Sequence, residues 1–168
     1  LGDAEQHRMR DRFLFALGLY LGVDLVELHL VDLLALQQFG LADAFGEGLV
    51  PVLVLNVVCP LVPEEIRDFC RGKRSVLVVE EGQPEFLEQE ILAILRRVDS
   101  DTAIHGKNLL PMAGEYTVEV IGRGLAEFIG REAPELPLDA GRHWLAQTDA
   151  RREAVTAELG KPLPARPA

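Results

Sequence analysis

Two adjacent carboxylates, Glu80 and Glu81, stand at the end of the apolar run Val76 to Val79 in "RSVLVVEEGQPEFLEQEILAIL". A carboxylate at the tip of a buried strand costs desolvation unless it has a partner. It therefore either takes part in general acid–base chemistry or holds a polar group in place. Two further stretches carry polar residues in the same kind of setting, after apolar runs: "CPLVPEE" and "HGKNLLPMAGE". With "EEGQPE" they place Glu80, Glu81, Gln83, His105, Lys107, Asn108 and Glu115 on three loops that leave strands. In a parallel α/β sheet such loops gather at the carboxyl edge, where ligands and partners collect. The edge is thus a candidate for docking or catalysis. The plainer account is that Glu64, Glu65, Glu85 and Glu88 favour helix N-termini, each by roughly 0.3–1 kcal/mol. That account suffices for the helix-borne glutamates. For Glu80, pairing with a neighbouring Lys or Arg and a working role both stand.

Other chemistries lack their motifs. There is no Walker phosphate loop, and no GxGxxG follows a strand; "GLADAFGEG" has glycines without the strand–turn–helix setting. A GDG motif with a distal Asn, used for thiamine diphosphate, is missing, as is a GxSxG elbow. His7, His29, His105 and His143 are scattered, with no HExxH. Cys59 and Cys70 lack CxxC spacing and are too few for an iron–sulfur cluster. No catalytic, cofactor or metal residue is therefore assigned.

The elements that position these loops read clearly from Pro51 onward. "VLVLNVV", Val52 to Val58, is a β-branched run expected as a strand buried on both faces. "PLVPEEIRDFCRG" follows as a helix, with Pro63 at a first helical position and Gly72 to stop it. Ser75 to Glu80 is the next strand, and "EFLEQEILAILRRV" the next helix, with Leu87, Ile91, Ile94, Leu95 and Val98 on one face. Thr102 to Gly106 forms a brief strand, and Thr117 caps a third helix whose stripe is Val118, Ile121, Leu125 and Phe128. Three strand–helix units with short connections imply right-handed crossovers and a parallel sheet.

The ends are less regular. Residues 5–21 look helical, whereas Val26, Leu28 and Leu30 alternate with Glu27 and His29 as a strand would. "DLLALQQFGLADAFG" reads as a helix that Gly40 interrupts. The tail from Ala133 is Pro-rich around one amphipathic segment, and Trp144 is expected to anchor it to the domain.

With 168 residues, 48% hydrophobic and 26% charged, the chain suits one domain with an appendage. Its formal net charge of −10 argues against nucleic acid or an anionic membrane as partner. The apolar run Phe13 to Val23 is 11 residues long, short of the about 20 a spanning helix needs. It lacks a signal-type cleavage site, so a reduced, cytoplasmic setting is expected.

Three motifs carry a family resemblance: "VLNVVCPL.P" at the first strand exit, "VLVVEEGQPEFLEQ" in the middle, and "HGKNLLPMAGEYT" before the last helix. In this order, across about residues 31–130, the chain resembles the middle domain of indolepyruvate ferredoxin oxidoreductases, which are thiamine-diphosphate-dependent 2-oxoacid:ferredoxin oxidoreductases. That domain is similar to the carboxy-terminal domain of transketolase. The resemblance implies a three-layer α/β/α unit with a five-stranded, mostly parallel sheet and one antiparallel edge strand. It also implies a parent that decarboxylates an aryl 2-oxoacid with thiamine diphosphate, magnesium and iron–sulfur clusters, passes electrons to ferredoxin and hands the acyl group to coenzyme A. This piece would be a scaffold and docking domain, its partners being other domains of the enzyme, in a homo-oligomer. The implied division is a divergent segment over 1–30, the α/β domain over 31–132, and a Pro-rich linker with one helix over 133–168. Upstream of residue 31 the chain departs from the family's compact opening strand, so that strand is displaced, replaced by Val26 to Leu30, or lost. Glu80 is then expected as an organising acceptor and Glu81 as the more exposed, the pair receiving amides of the "HGKN" loop or of a neighbouring domain.

Two rivals remain from the residues alone. An independent α/β enzyme or nucleotide-binding module would need a phosphate-binding turn. A self-associating module would use the Leu-rich first 35 residues.

Overall fold

A computed structural model describes residues 15–18, 25–43, 48–55, 57–82 and 84–160. Four strands, β1 (Phe15–Gly18), β2 (Val52–Leu55), β3 (Ser75–Glu80) and β4 (Ala103–His105), form one sheet in the order β2-β1-β3-β4. All three pairings are parallel. The helices are α1 (Leu25–Gln38), α2 (Pro63–Cys70), α3 (Phe86–Arg96), α4 (Val118–Glu132) and α5 (Asp139–Leu159).

Because side chains alternate across a strand, β3 feeds two cores. Leu77 and Val79 join Ala35, Leu36 and Phe39 from the α1 side with Ile121, Leu125 and Phe128 of α4. Val76 and Val78 join Ile66 of α2 and Leu87, Ile91, Ile94 and Leu95 of α3. All six residues of β3 are buried. The result is a three-layer α/β/α unit with a small sheet.

The termini of the helices follow the expected chemistry. Thr117 Oγ1 accepts from Val120 N at 3.4 Å, capping α4. Gly40, at φ +66°, ends α1: Leu41 N donates to Leu36 O and Gly40 N to Gln37 O, both at 2.9 Å.

Four expectations are corrected. Residues 26–30 belong to α1, not to a strand, and residues 15–18 are a central strand, not part of a helix. The remainder of the 5–21 reading lies outside the described residues. A four-residue apolar run inside a longer apolar stretch has no period of its own, so helix and strand cannot be told apart by pattern. β2 is not buried on both faces: it is an edge strand ending at Leu55, with Val52 and Val54 at 39% and 36% exposure. Among the described residues the sheet is wholly parallel, without the antiparallel edge strand the resemblance implied.

The tail is bound closely to the body. Ala133, Leu136, Leu138 and Leu145 are buried in the same core as α1 and α4, and Trp144 packs partly buried against it. Beyond Asp149, which pairs with Arg123, every residue of α5 is exposed. Gly141 sets how near α5 comes to α1's end: a Cβ there would lie 2.3 Å from Phe39 Cδ1 and 2.4 Å from Cγ. Phe39 is fully buried and has no room to yield. Gly141→Ala should therefore lower stability by about 2 kcal/mol, as overpacking does. Urea unfolding followed by Trp144 fluorescence checks it; an unchanged midpoint would contradict the packing.

Candidate functional site

Glu80 closes β3 and is only 4% exposed. Both of its carboxylate oxygens accept from Leu87 N, each at 3.1 Å. Leu87 is the second residue of α3, whose own cap residue Glu85 makes no side-chain cap, its carboxylate accepting from Gln89 Nε2 at 3.0 Å instead. The first-turn amides of a helix have no intrahelical partner, so the strand end supplies what the helix's own sequence lacks. Burial pushes the Glu80 carboxyl above its usual value, against the opposing pull of the α3 amides and Lys107.

Glu81 is half-buried and turns the other way. Its Oε2 accepts from Tyr116 N at 3.2 Å, just before the α4 cap. The adjacent pair thus holds the starts of two helices on opposite faces of the sheet.

The "HGKN" loop is held differently from expectation. Its amides do not reach Glu80 or Glu81. Lys107 N donates to Glu88 Oε2 at 2.9 Å, and Gly106 N to Asn108 Oδ1 at 2.8 Å. Glu88 consequently does more than complement the helix dipole: it secures the loop after β4. Lys107 Nζ donates to the Glu80 carbonyl and, at 2.7 Å, to Tyr116 Oη, and it sits 4.7 Å from the centre of the Tyr116 ring. Tyr116 Oη in turn donates to Pro111 O at 2.6 Å. Burial lowers the Lys107 pKa, while Glu80, Glu88 and Glu81 oppose it; burial, then the same three acids, raise that of Tyr116.

Glu80, Glu81, Lys107 and Tyr116 are therefore brought together, with Glu88 added. His105 is not. It pairs level with Leu77, midway along β3, because β4 is only three residues long. From there its ring meets Phe128 edge-on at 5.5 Å, and Nε2 lies 3.5 Å from Glu132 Oε1, both on α4. Asn108 is exposed, its Nδ2 3.1 Å from His105 Nδ1. Glu115 is exposed, and Gln83 lies outside the described residues.

One acid escaped the reading of the sequence. Asp32 of α1 is 1% exposed, and among the described residues neither carboxylate oxygen has a hydrogen-bond partner. Burial and then the nearby Glu81 push its pKa up to about 8. The available signal was a lone acid inside "LHLVDLLAL", with Leu28, Ala35 and Leu36 at helical spacing.

Chemically this is a clasp. A general base must reach a substrate proton, and Glu80 has both oxygens engaged on one amide in a nearly closed site. The donor set does not fit the cofactors that the resemblance implied. Among the described residues no three His, Cys, Asp or Glu side chains stand together for a metal ion. Cys59 is exposed at one loop, while Cys70 is buried in α2, its thiol pushed up to about 11 chiefly by burial. Among the described residues no helix is long and apolar enough to cross a membrane.

No protein-family model matches the chain. It is similar to the indolepyruvate oxidoreductase subunit IorA of Methanothermobacter thermautotrophicus, with 31% identity over 107 residues, covering 62% of this chain and 16% of that one. It is also similar to subunit IorA of Pyrococcus abyssi, with 33% identity over 90 residues, covering 53% of this chain and 14% of that one. Both matches support a relationship to that oxidoreductase family, and the chain spans about a sixth of the length of these relatives.

Proposed function

We propose that this chain is a scaffold and docking domain of a longer oxidoreductase, and that it contributes no catalytic group of its own. We take residues 31–132 as its family-like part, followed by the linker helix; the divergent segment before it supplies β1, a central strand of the same sheet. The parent enzyme oxidatively decarboxylates indolepyruvate or another aryl 2-oxoacid in the cytoplasm. It uses thiamine diphosphate with magnesium and iron–sulfur clusters held by other domains, assembles as a homo-oligomer, and has ferredoxin as acceptor. The support for the parent is the partial similarity to two indolepyruvate oxidoreductase subunits, of which the matched stretches cover 16% and 14%.

The observation that carries the scaffolding role is the closure of Glu80. A carboxylate at the strand-exit edge, where a working acid or base would stand, has both oxygens on Leu87 N and is 4% exposed. The test has two arms. The full-length enzyme is expected to reduce ferredoxin when given indolepyruvate and coenzyme A. The 168-residue chain alone is expected to show no change in melting temperature with thiamine diphosphate and magnesium, or with nucleotides. A rise of several degrees in the second arm overturns the noncatalytic role, and failure of the first overturns the parent's activity.

A further inference from the structure

Glu80 and the Lys107 ammonium at the carboxyl edge are turned inward, while several large apolar side chains there are turned out. Val57 and Val62 on the loop after β2 are 59% and 48% exposed, Phe86 at the start of α3 is 48% exposed, and Met112 after β4 is 44% exposed. Among the described residues, each of the loops after β2, β3 and β4 thus ends in, or carries, an apolar side chain facing water. The loops are also joined to one another. Leu61 and Leu87, the neighbours of Val62 and Phe86, lie in one core, and Leu61 N donates to Glu90 Oε1 of α3 at 3.4 Å. Lys107, through the Glu80 carbonyl and Tyr116, holds the loop that carries Met112 against the end of β3. Single exposed apolar residues are ordinary, whereas several on loops that leave the same edge of one parallel sheet point to a contact surface.

The charges around it say what kind of contact. Glu65 and Glu115 are exposed and Glu81 is half-exposed along the margin. Lys107, the cation these loops carry, is turned inward onto Glu80 and Tyr116. A second copy of this chain placed face to face would set acid against acid, because a two-fold contact joins the same surface to itself. Complementarity instead calls for an apolar face with a basic margin.

We infer that the edge formed by Val57, Val62, Phe86 and Met112 seats another domain of the same enzyme, one that presents an apolar patch bordered by Lys or Arg. This rests on the proposed membership in a longer oxidoreductase and adds which side chains make the contact. The polar residues Glu80, Glu81 and Lys107 shape that edge from behind; they are positioning residues, and the apolar ones touch the partner.

Cys59 supplies a natural reporter, since it is exposed on the same loop as Val57 and Val62. Its alkylation by a maleimide, read by mass spectrometry of the peptide that contains it, is compared in the 168-residue chain and in the full-length enzyme. The expected result is fast labelling in the chain at every protein concentration and labelling at least tenfold slower in the full-length enzyme. Val62→Glu combined with Met112→Glu should restore fast labelling in the full-length enzyme. Leu92→Glu, at an exposed position of α3 away from the edge, should not. Equal rates in the two proteins overturn the inference, as does slow labelling that persists in the double variant. Protection that grows with concentration in the chain alone overturns it in favour of a second copy. Full-length enzyme that turns over indolepyruvate yet labels freely at Cys59 defeats this inference alone. Protected Cys59 without turnover defeats the proposed substrate and leaves the docking edge in place.

Discussion

Asp32→Asn is expected to raise the stability of the chain at pH 7 by about 3 kcal/mol, a large gain for one substitution. The carboxyl is 1% exposed, has no hydrogen-bond partner among the described residues, and faces Glu81. Its folded pKa of about 8 stands far above the ordinary 3.8. Between those two values the folded chain holds a proton that the unfolded chain has lost. The protonated form therefore contributes stability that is complete below the ordinary value and disappears as pH rises through about 8. The slope in that window is about 1.4 kcal/mol per pH unit for one proton. Asparagine takes up no proton, so its fold stability should depend far less on pH. Its amide remains unsatisfied, which keeps the gain below the full linkage value. Glu80, also raised by burial, adds a dependence of the same sign that Asp32→Asn leaves in place. Urea midpoints at pH 5, 7 and 9 measure this directly. Parallel curves for the wild type and Asp32→Asn would show that Asp32 is not the group that titrates.

The second large effect has the opposite sign. Glu80→Ala should cost about 3 kcal/mol, because it strands the Leu87 amide in a buried place and empties the volume of a methylene and a carboxylate. Glu80→Gln keeps an acceptor oxygen and the side-chain shape, and it removes a charge that burial already disfavours. It should cost about 1 kcal/mol or less. Glu81→Ala should fall between them, since Glu81 is half-buried and its one donor, Tyr116 N, lies next to the capped start of α4. Equal losses for Glu80→Ala and Glu80→Gln in urea unfolding would mean that the charge, and not the acceptor, is what the site uses.

How far the sequence foretold this depends on the element. The run of β3, the Pro63 and Thr117 helix starts and the apolar stripes of α3 and α4 are local patterns, and the structure repeats them except at Val98, which lies past the end of α3 and is 44% exposed. What escaped depends on which elements become neighbours. The valines of β2 look like core residues until the order β2-β1-β3-β4 leaves that strand at an edge. His105 follows a strand run as Glu80 does, yet the pairing Leu77 to His105 sets it lower on the sheet. The brief β1 is concealed inside a longer apolar stretch, and α1 is masked by a chance alternation of Val26, Leu28 and Leu30. For Glu80 the acceptor was legible and the donor was not. Its partner, seven residues on, is fixed only when α3 folds back against the end of β3.

The clasp is tested most directly by amide hydrogen exchange at Leu87 and Tyr116, measured by NMR in the wild type, Glu80→Ala and Glu81→Ala under native conditions. Leu87 N is held by Glu80 and Tyr116 N by Glu81. Glu80→Ala should speed exchange at Leu87 and spare Tyr116, and Glu81→Ala should do the reverse, each by at least tenfold beyond the change at the β3 amides. Exchange at both sites that merely follows the global loss of stability would contradict the account.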